Sequence, residues 1–168
     1  MKNGRIALVL LLLCMTFGTV SCSLDREVSE YYPHHCELAL TIPNTFAQFE
    51  SSDFDAAFTD GYCVVGMVRI SYSAAVKDGI PATLDPKQFA QYYMTLAEAE
   101  DPTLGIYDIY VTDDVPYYTY LKDGYFYMPT FYCSKYAYFV VMYTCAEERA
   151  AEYTDDFIKY ASEAYFTE

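Results

Sequence analysis

Apolar residues are arranged along this chain in three ways, and each arrangement predicts a different element. Near the N-terminus they form an almost unbroken block over residues 6–20. In the middle they alternate or crowd into short runs bounded by turn residues, which predicts strands. In two later stretches they recur at helical spacing.

Residues 37–42 alternate towards a strand that Pro43 ends, with Phe46 and Phe49 following in a loop or turn. Residues 54–58 form a short strand candidate, and Asp60-Gly61 is a turn signal. The run 62–71 is apolar and β-branched on both parities, so it predicts a strand covered on both faces. Asp85-Pro86 then starts a helix, with Asp as cap and Pro in the first turn. Phe89, Tyr92, Tyr93, Leu96 and Ala97 give it an apolar stripe, and Asp101-Pro102 ends it.

A β-meander is expected next, with strands at 106–112, 117–122, 125–132 and 136–144. Asp123-Gly124 predicts a two-residue type I′ hairpin. Its register opposes Lys122 to Tyr125, Tyr120 to Tyr127 and Tyr118 to Pro129. A turn at Ser134-Lys135 would oppose Cys133 to Tyr136 and Phe131 to Tyr138. One face then carries Tyr118, Tyr120, Tyr125, Tyr127, Phe131, Tyr136, Tyr138, Val140 and Met142. Leu121, Phe126, Met128, Tyr132, Phe139, Val141 and Tyr143 lie on the other, so neither face suits water. Thr144-x-x-Glu147 has the form of a capping box before a last helix, and residues 163–166 form a closing strand.

Strands, a helix, a meander, a helix and a final strand predict an α+β domain: an antiparallel β-sheet with helices packed on its faces. This order resembles the PsbP/Mog1-like fold, which includes DcrB-like bacterial lipoproteins. The resemblance rests on Ile42-Pro43 with Phe46 close behind, the 62–71 strand, the 84–97 helix, the 117–122 and 125–131 hairpin, and the stretch Lys135-Tyr136-Ala137-Tyr138-Phe139-Val140-Val141. Members of that fold serve as assembly factors of photosystem II, as a partner of the GTPase Ran, or as envelope lipoproteins. The resemblance therefore implies a binding or assembly module.

The N-terminal block changes this picture by giving the domain an address. Lys2 and Arg5 precede an apolar run shorter than the roughly 20 residues of a spanning helix, as in a secretory signal. Thr19-Val20-Ser21-Cys22 resembles a bacterial lipobox, with Thr19 where Leu is usual. Residues 1–21 are expected to be the signal peptide, 22–35 a lipidated Cys22 with a polar tether, and 36–168 a single domain. The expected location is extracytoplasmic, with membrane attachment through the lipid alone.

Composition sharpens the choice of partner. The chain has 168 residues, 24 acids against 10 Lys plus Arg, and a net charge of −14. Losing residues 1–21 removes two cations and no acid, leaving about −16. Such a body excludes nucleic acid, which needs a basic face. With 54% apolar residues it is not a disordered chain either.

Catalytic chemistry finds little footing. There is no G-x-S-x-G, P-loop or G-x-G-x-x-G, and both histidines, His34 and His35, fall in the tether. No catalytic residue, cofactor or metal site is therefore expected. His34, His35 and Cys36 with Glu30 could ligate a metal, but a solvated linker explains them better. Asp113-Asp114, Asp155-Asp156 and Asp53 with Asp55 lack calcium-loop spacing and fit turns and helix starts. Cys36, Cys63, Cys133 and Cys145 allow three disulfide pairings or buried thiols.

Among the 20 tyrosines, Tyr118, Tyr120, Tyr127 and Tyr138 share one sheet face. They either hold a partner or ligand or underlie a helix in place of Phe and Trp. The leading expectation is an envelope lipoprotein whose domain binds a protein partner without catalysis. The alternative is an extracytoplasmic carrier of a glycan or aromatic small molecule on that tyrosine face.

Overall fold

The computed structural model describes residues 28–31 and 37–167. The expected signal segment, Cys22, His34, His35 and Cys36 lie outside the described residues. In chain order the first strands are β1 (Val28–Tyr31), β2 (Leu38–Pro43), β3 (Ala47–Phe49), β4 (Ala56–Thr59) and β5 (Cys63–Ser71). Two helices follow, α1 (Tyr72–Lys77) and α2 (Pro86–Glu100). Then come β6 (Tyr110–Thr112), β7 (Val115–Tyr117), β8 (Tyr120–Lys122), β9 (Tyr125–Cys133) and β10 (Ala137–Ala146). A 3-10 turn at Glu147–Arg149 leads into α3 (Ala150–Ser162), and β11 (Tyr165–Phe166) closes the chain.

The large sheet runs β3-β4-β5-β10-β9-β7-β6, with β8 also paired to β9. A small sheet runs β1-β2-β11, and the pairings in both are antiparallel. The α+β expectation, an antiparallel sheet with helices on its faces, is the architecture observed.

Strand periodicity explains why both faces must be covered. On β10, Ala137, Phe139, Val141, Tyr143 and Cys145 enter one core together with β2 and α3. Tyr138 and Val140 enter the other, beneath α2. The helices supply matching stripes. Phe89, Ala90, Tyr93 and Ala97 are the buried side of α2, and Tyr153, Phe157, Tyr160 and Ala161 that of α3. Asp85 caps α2 as expected: its carboxylate accepts from Gln88 N at 2.8 Å while Asp85 N donates to Gln88 Oε1 at 3.0 Å.

The Asp123-Gly124 turn also forms, with φ of 51° and 78° as a type I′ turn requires. Tyr120 faces Tyr127 and Lys122 faces Tyr125. The next connection differs. Tyr138 pairs with Cys133 and Val140 with Phe131, two residues from the expected register. Ser134 N donates to Ala137 O at 2.9 Å, so residues 134–137 make the turn. Ser134 Oγ also accepts from the amides of Tyr136 and Ala137, which favours this longer turn. A slip of two preserves the faces, so the division of side chains between the cores survives it.

Other differences have local causes. The stretch expected as a tether contains β1, which needs only main-chain bonds to β2. Ser71 caps the short α1, its Oγ accepting from Ala74 N, in a stretch between the expected strand and helix for which no element was expected. Phe49 belongs to a short strand rather than a loop. The expected strand 117–122 divides into β7 and β8, and only the end of 106–112 is a strand. Thr144 caps nothing: it remains in β10, its Oγ1 donating to Phe126 O at 2.8 Å. The 3-10 turn begins instead at Ala146, without a side-chain cap.

Gly66 on β5 is a packing requirement. A Cβ there would meet ring carbons of Phe54 at 2.5–2.6 Å. Gly66→Ala is expected to lower the unfolding free energy by about 1–3 kcal/mol, measured by urea denaturation. In a double-mutant cycle with Phe54→Ala, most of that loss should disappear; strictly additive losses would contradict the contact.

Candidate interaction surface

Three of the four singled-out tyrosines are core residues. Tyr118, Tyr120 and Tyr138 are buried beneath α2, and Tyr127 is half-buried, stacked on Tyr120 at 4.9 Å and 9°. Tyr138 stacks on Phe89 at 4.2 Å. Its hydroxyl donates to Pro81 O at 2.6 Å and accepts from Leu84 N at 3.0 Å. Those bonds hold the loop that delivers α2. Of the two alternatives for these tyrosines, the structure shows the second: the rings underlie α2 and fill the space it closes, which removes the open face that a glycan or aromatic carrier would need.

The acid pairs take structural places. Asp113 and Asp114 form the β6–β7 turn with φ of 45° and 67°, and Asp55 Oδ2 accepts from Arg69 N at 2.7 Å. Asp155 and Asp156 lie within α3 rather than at its start. Among the described residues no cluster of three or more His, Cys, Asp or Glu is placed to hold a metal. Cys63 and Cys145 are buried and Cys133 is half-buried. Burial pushes the Cys133 thiol up to about 12, and its Sγ lies 3.6 Å from Leu84 O.

What stays open is an edge. Among the described residues β6 has a strand on one side only, whereas the sheet interior is paired on both. Tyr107 is 94% exposed, Tyr110 51% and Val111 52%, an unusual apolar concentration beside unpaired main chain. The Tyr110 ring lies 5.5 Å from that of Tyr117, its partner on β7. The opposite edge, β3, exposes only Ala47 and Gln48 and half-buries Phe49.

This edge was hidden within an apolar run that reads as one strand. Asp108, in the middle of 106–112, is the sequence sign that the run meets water. Ile106 and Leu104 turn inward as loop residues, leaving Tyr107 and Tyr110 outside. The Asp113-Asp114 turn then brings the chain back along β7.

Charge around the edge is one-sided. Asp108, Asp113 and Asp114 are exposed beside it, while Lys122 on β8 is engaged by Asp101 at 2.9 Å. The Asp101 carboxyl is held down to about 2, first by the Thr103 hydroxyl, then by Lys122 and the Thr103 amide. An aromatic strip with acids beside it fits an extended segment carrying Lys or Arg.

The comparisons with known proteins come from structure alone. No protein-family model matches the chain, and no curated protein matches it. The cyanobacterial PsbP (CyanoP) of Synechocystis sp. PCC 6803 matches with a TM-score of 0.54 and 12% identity, over 89% of this chain and 98% of that one. LpqN of Mycobacterium tuberculosis, described as involved in cell envelope biogenesis, matches with a TM-score of 0.47 and 13% identity, over 84% and 91%. The chain thus has a PsbP-like α+β fold, as its element order implied.

Two outcomes follow for the site's surroundings. Tyr138→Phe should cost about 1–3 kcal/mol of stability by leaving Leu84 N without its acceptor, whereas Tyr110→Ser should change it by less than about 0.5 kcal/mol. Both are read from chemical denaturation. For Asp101, a lowered folded value means its stabilisation is full above the ordinary carboxylate range and is lost as pH falls towards about 2. Asp101→Asn should therefore flatten the decline in stability between the ordinary aspartate value of 3.8 and about 2, seen as a smaller shift of Tm across that interval.

Proposed function

We propose that this chain is an envelope lipoprotein whose PsbP-like domain is a non-catalytic binding module for a protein partner. The address is supported by Lys2, Arg5, the apolar run 6–20 and Thr19-Val20-Ser21-Cys22. Among the described residues no helix is long and apolar enough to cross a membrane, so attachment would come through acyl chains on Cys22. The acidic body would be repelled by anionic headgroups and stand away from the bilayer.

The observation that carries the binding reading is the β6 edge. It offers main-chain donors and acceptors, with Tyr107, Tyr110 and Val111 beside them. A partner strand added there would extend the large sheet, its basic side chains meeting Asp108, Asp113 and Asp114. Main-chain bonds would supply affinity, and the aromatic rings and acids selectivity.

Two measurements test this reading. Intact mass of the cell-made chain should show a mature protein beginning at a diacylated Cys22; any other N-terminus contradicts the anchor. A photo-crosslinking residue at position 111 should give a discrete protein adduct in intact cells, and one at position 48 on the β3 edge should not. Tyr110→Asp should reduce the position-111 adduct at least about tenfold, equivalent to ~1.4 kcal/mol. Equal yields at both edges, or yields insensitive to Tyr110→Asp, contradict the docking site.

A further inference from the structure

The β5–β10 pairing places two cysteines directly opposite one another. Cys145 on β10 faces Cys63 on β5, and both side chains enter the core beneath α3 and β2. Main-chain bonds define the type of pair they make. Ser134 N donates to Ala137 O across the β9–β10 turn, so Ala137 and every second residue after it, including Cys145, direct their main-chain groups towards β9. Tyr72 N donating to Tyr136 O at 3.2 Å gives the complementary phase on the β5 side. Cys63 and Cys145 are therefore a non-hydrogen-bonded antiparallel pair.

In such a pair the Cα atoms stand about 4.5 Å apart and the side chains approach closely. That falls at the near end of the roughly 4.4–6.8 Å that a disulfide bridges. Cys133 lies across the sheet, against Leu84 and the other core, and is not placed to compete. We infer that Cys63 and Cys145 are joined by a disulfide in the mature exported chain, locking the central strand pair of the large sheet.

The chemistry is thiol–disulfide exchange. An oxidant disulfide, carried by a small molecule or an oxidoreductase, forms a mixed disulfide with one cysteine, and the other displaces it. Each cysteine gives up its S–H hydrogen, one S–S bond forms, the electron pair reduces the oxidant to two thiols, and the protons pass to solvent or to the reduced oxidant. Cys63 and Cys145 are 1% and 2% exposed in the folded domain. The bond therefore forms before the sheet closes and is shielded from dissolved thiols afterwards. Asp60 Oδ1, which accepts from Cys63 Sγ at 3.4 Å, also accepts from the Tyr62 and Cys63 amides and so keeps two partners once the thiol hydrogen is gone.

In the cell the inference rests on the envelope reading, because the bond needs an oxidising compartment. The test has two arms. The purified full chain is unfolded, refolded in a mixture of reduced and oxidised glutathione, alkylated and mapped by non-reducing peptide mass spectrometry. The expected product is one peptide pair joined through Cys63 and Cys145, lighter by two hydrogens, lost in Cys63→Ser and retained in Cys133→Ser. Alkylated or glutathione-capped Cys63 and Cys145, or a dominant link to Cys36 or Cys133, overturns the pairing. The second arm maps the chain isolated from cells under alkylation. A lipidated chain with the Cys63–Cys145 link supports the inference, and a lipidated chain with both thiols alkylated overturns it. An unlipidated chain with both thiols alkylated, alongside a refolded chain that forms the link, upholds the pairing and contradicts only the envelope reading.

Discussion

A strand with Phe139, Val141 and Tyr143 on one side and Tyr138, Val140 and Met142 on the other cannot lie against water. All six of these β10 side chains are in fact buried, and covering both sides at once dictates the remaining architecture. On one side α2 brings Phe89 and Tyr93 onto Tyr138 and Phe131. On the other, α3 brings Phe157 to 5.4 Å from Tyr143, with β2 completing the layer. The sheet is thus the partition between two cores, and β10 lies at its centre.

Tyrosine takes the place of Phe and Trp in this partition, and its hydroxyls must then be accommodated. Tyr132 donates to Ala161 O at 2.9 Å, binding α3 to β9. Tyr138 performs the same task for the loop before α2, and Tyr72 for the β9–β10 turn through Ser134 O at 2.5 Å. These bonds convert a polar cost of burial into positional restraints. A second tie crosses between the sheets: Glu37 ahead of β2 accepts from Arg69 Nη2 at 3.1 Å and from the Ser134 hydroxyl. Through their hydroxyls Tyr132, Tyr138 and Tyr72 thus fasten a helix, a loop and a turn to the sheet.

Most of this framework was legible in the residues, because periodicity and turn chemistry are local. Asp85-Pro86 marked the start of α2, and Asp123-Gly124 placed β8 against β9 in the correct register. Where two local signals compete, sequence reading fails. Ser134-Lys135 looked like a two-residue turn, but the Ser134 hydroxyl organises a longer one. Thr144 looked like a cap, but the demand for a fully paired β10 keeps it in the strand. The β6 edge was illegible for a different reason. An apolar residue covered by a helix and one left outside carry the same letter, so Tyr118 inside and Tyr110 outside are separated only by tertiary packing. The facing of Cys63 and Cys145 likewise needs the register of strands far apart in sequence.

The large sheet is sealed on both faces around β10 and left open along β6. Native-state hydrogen exchange of the full chain tests it most directly, since protection follows burial and pairing residue by residue. Amides of β10 should exchange only through global unfolding, while the outward amides near Tyr107, Tyr110 and Val111 exchange orders of magnitude faster. Comparable protection at β6 and β10 would mean that the edge is covered, and would contradict the account.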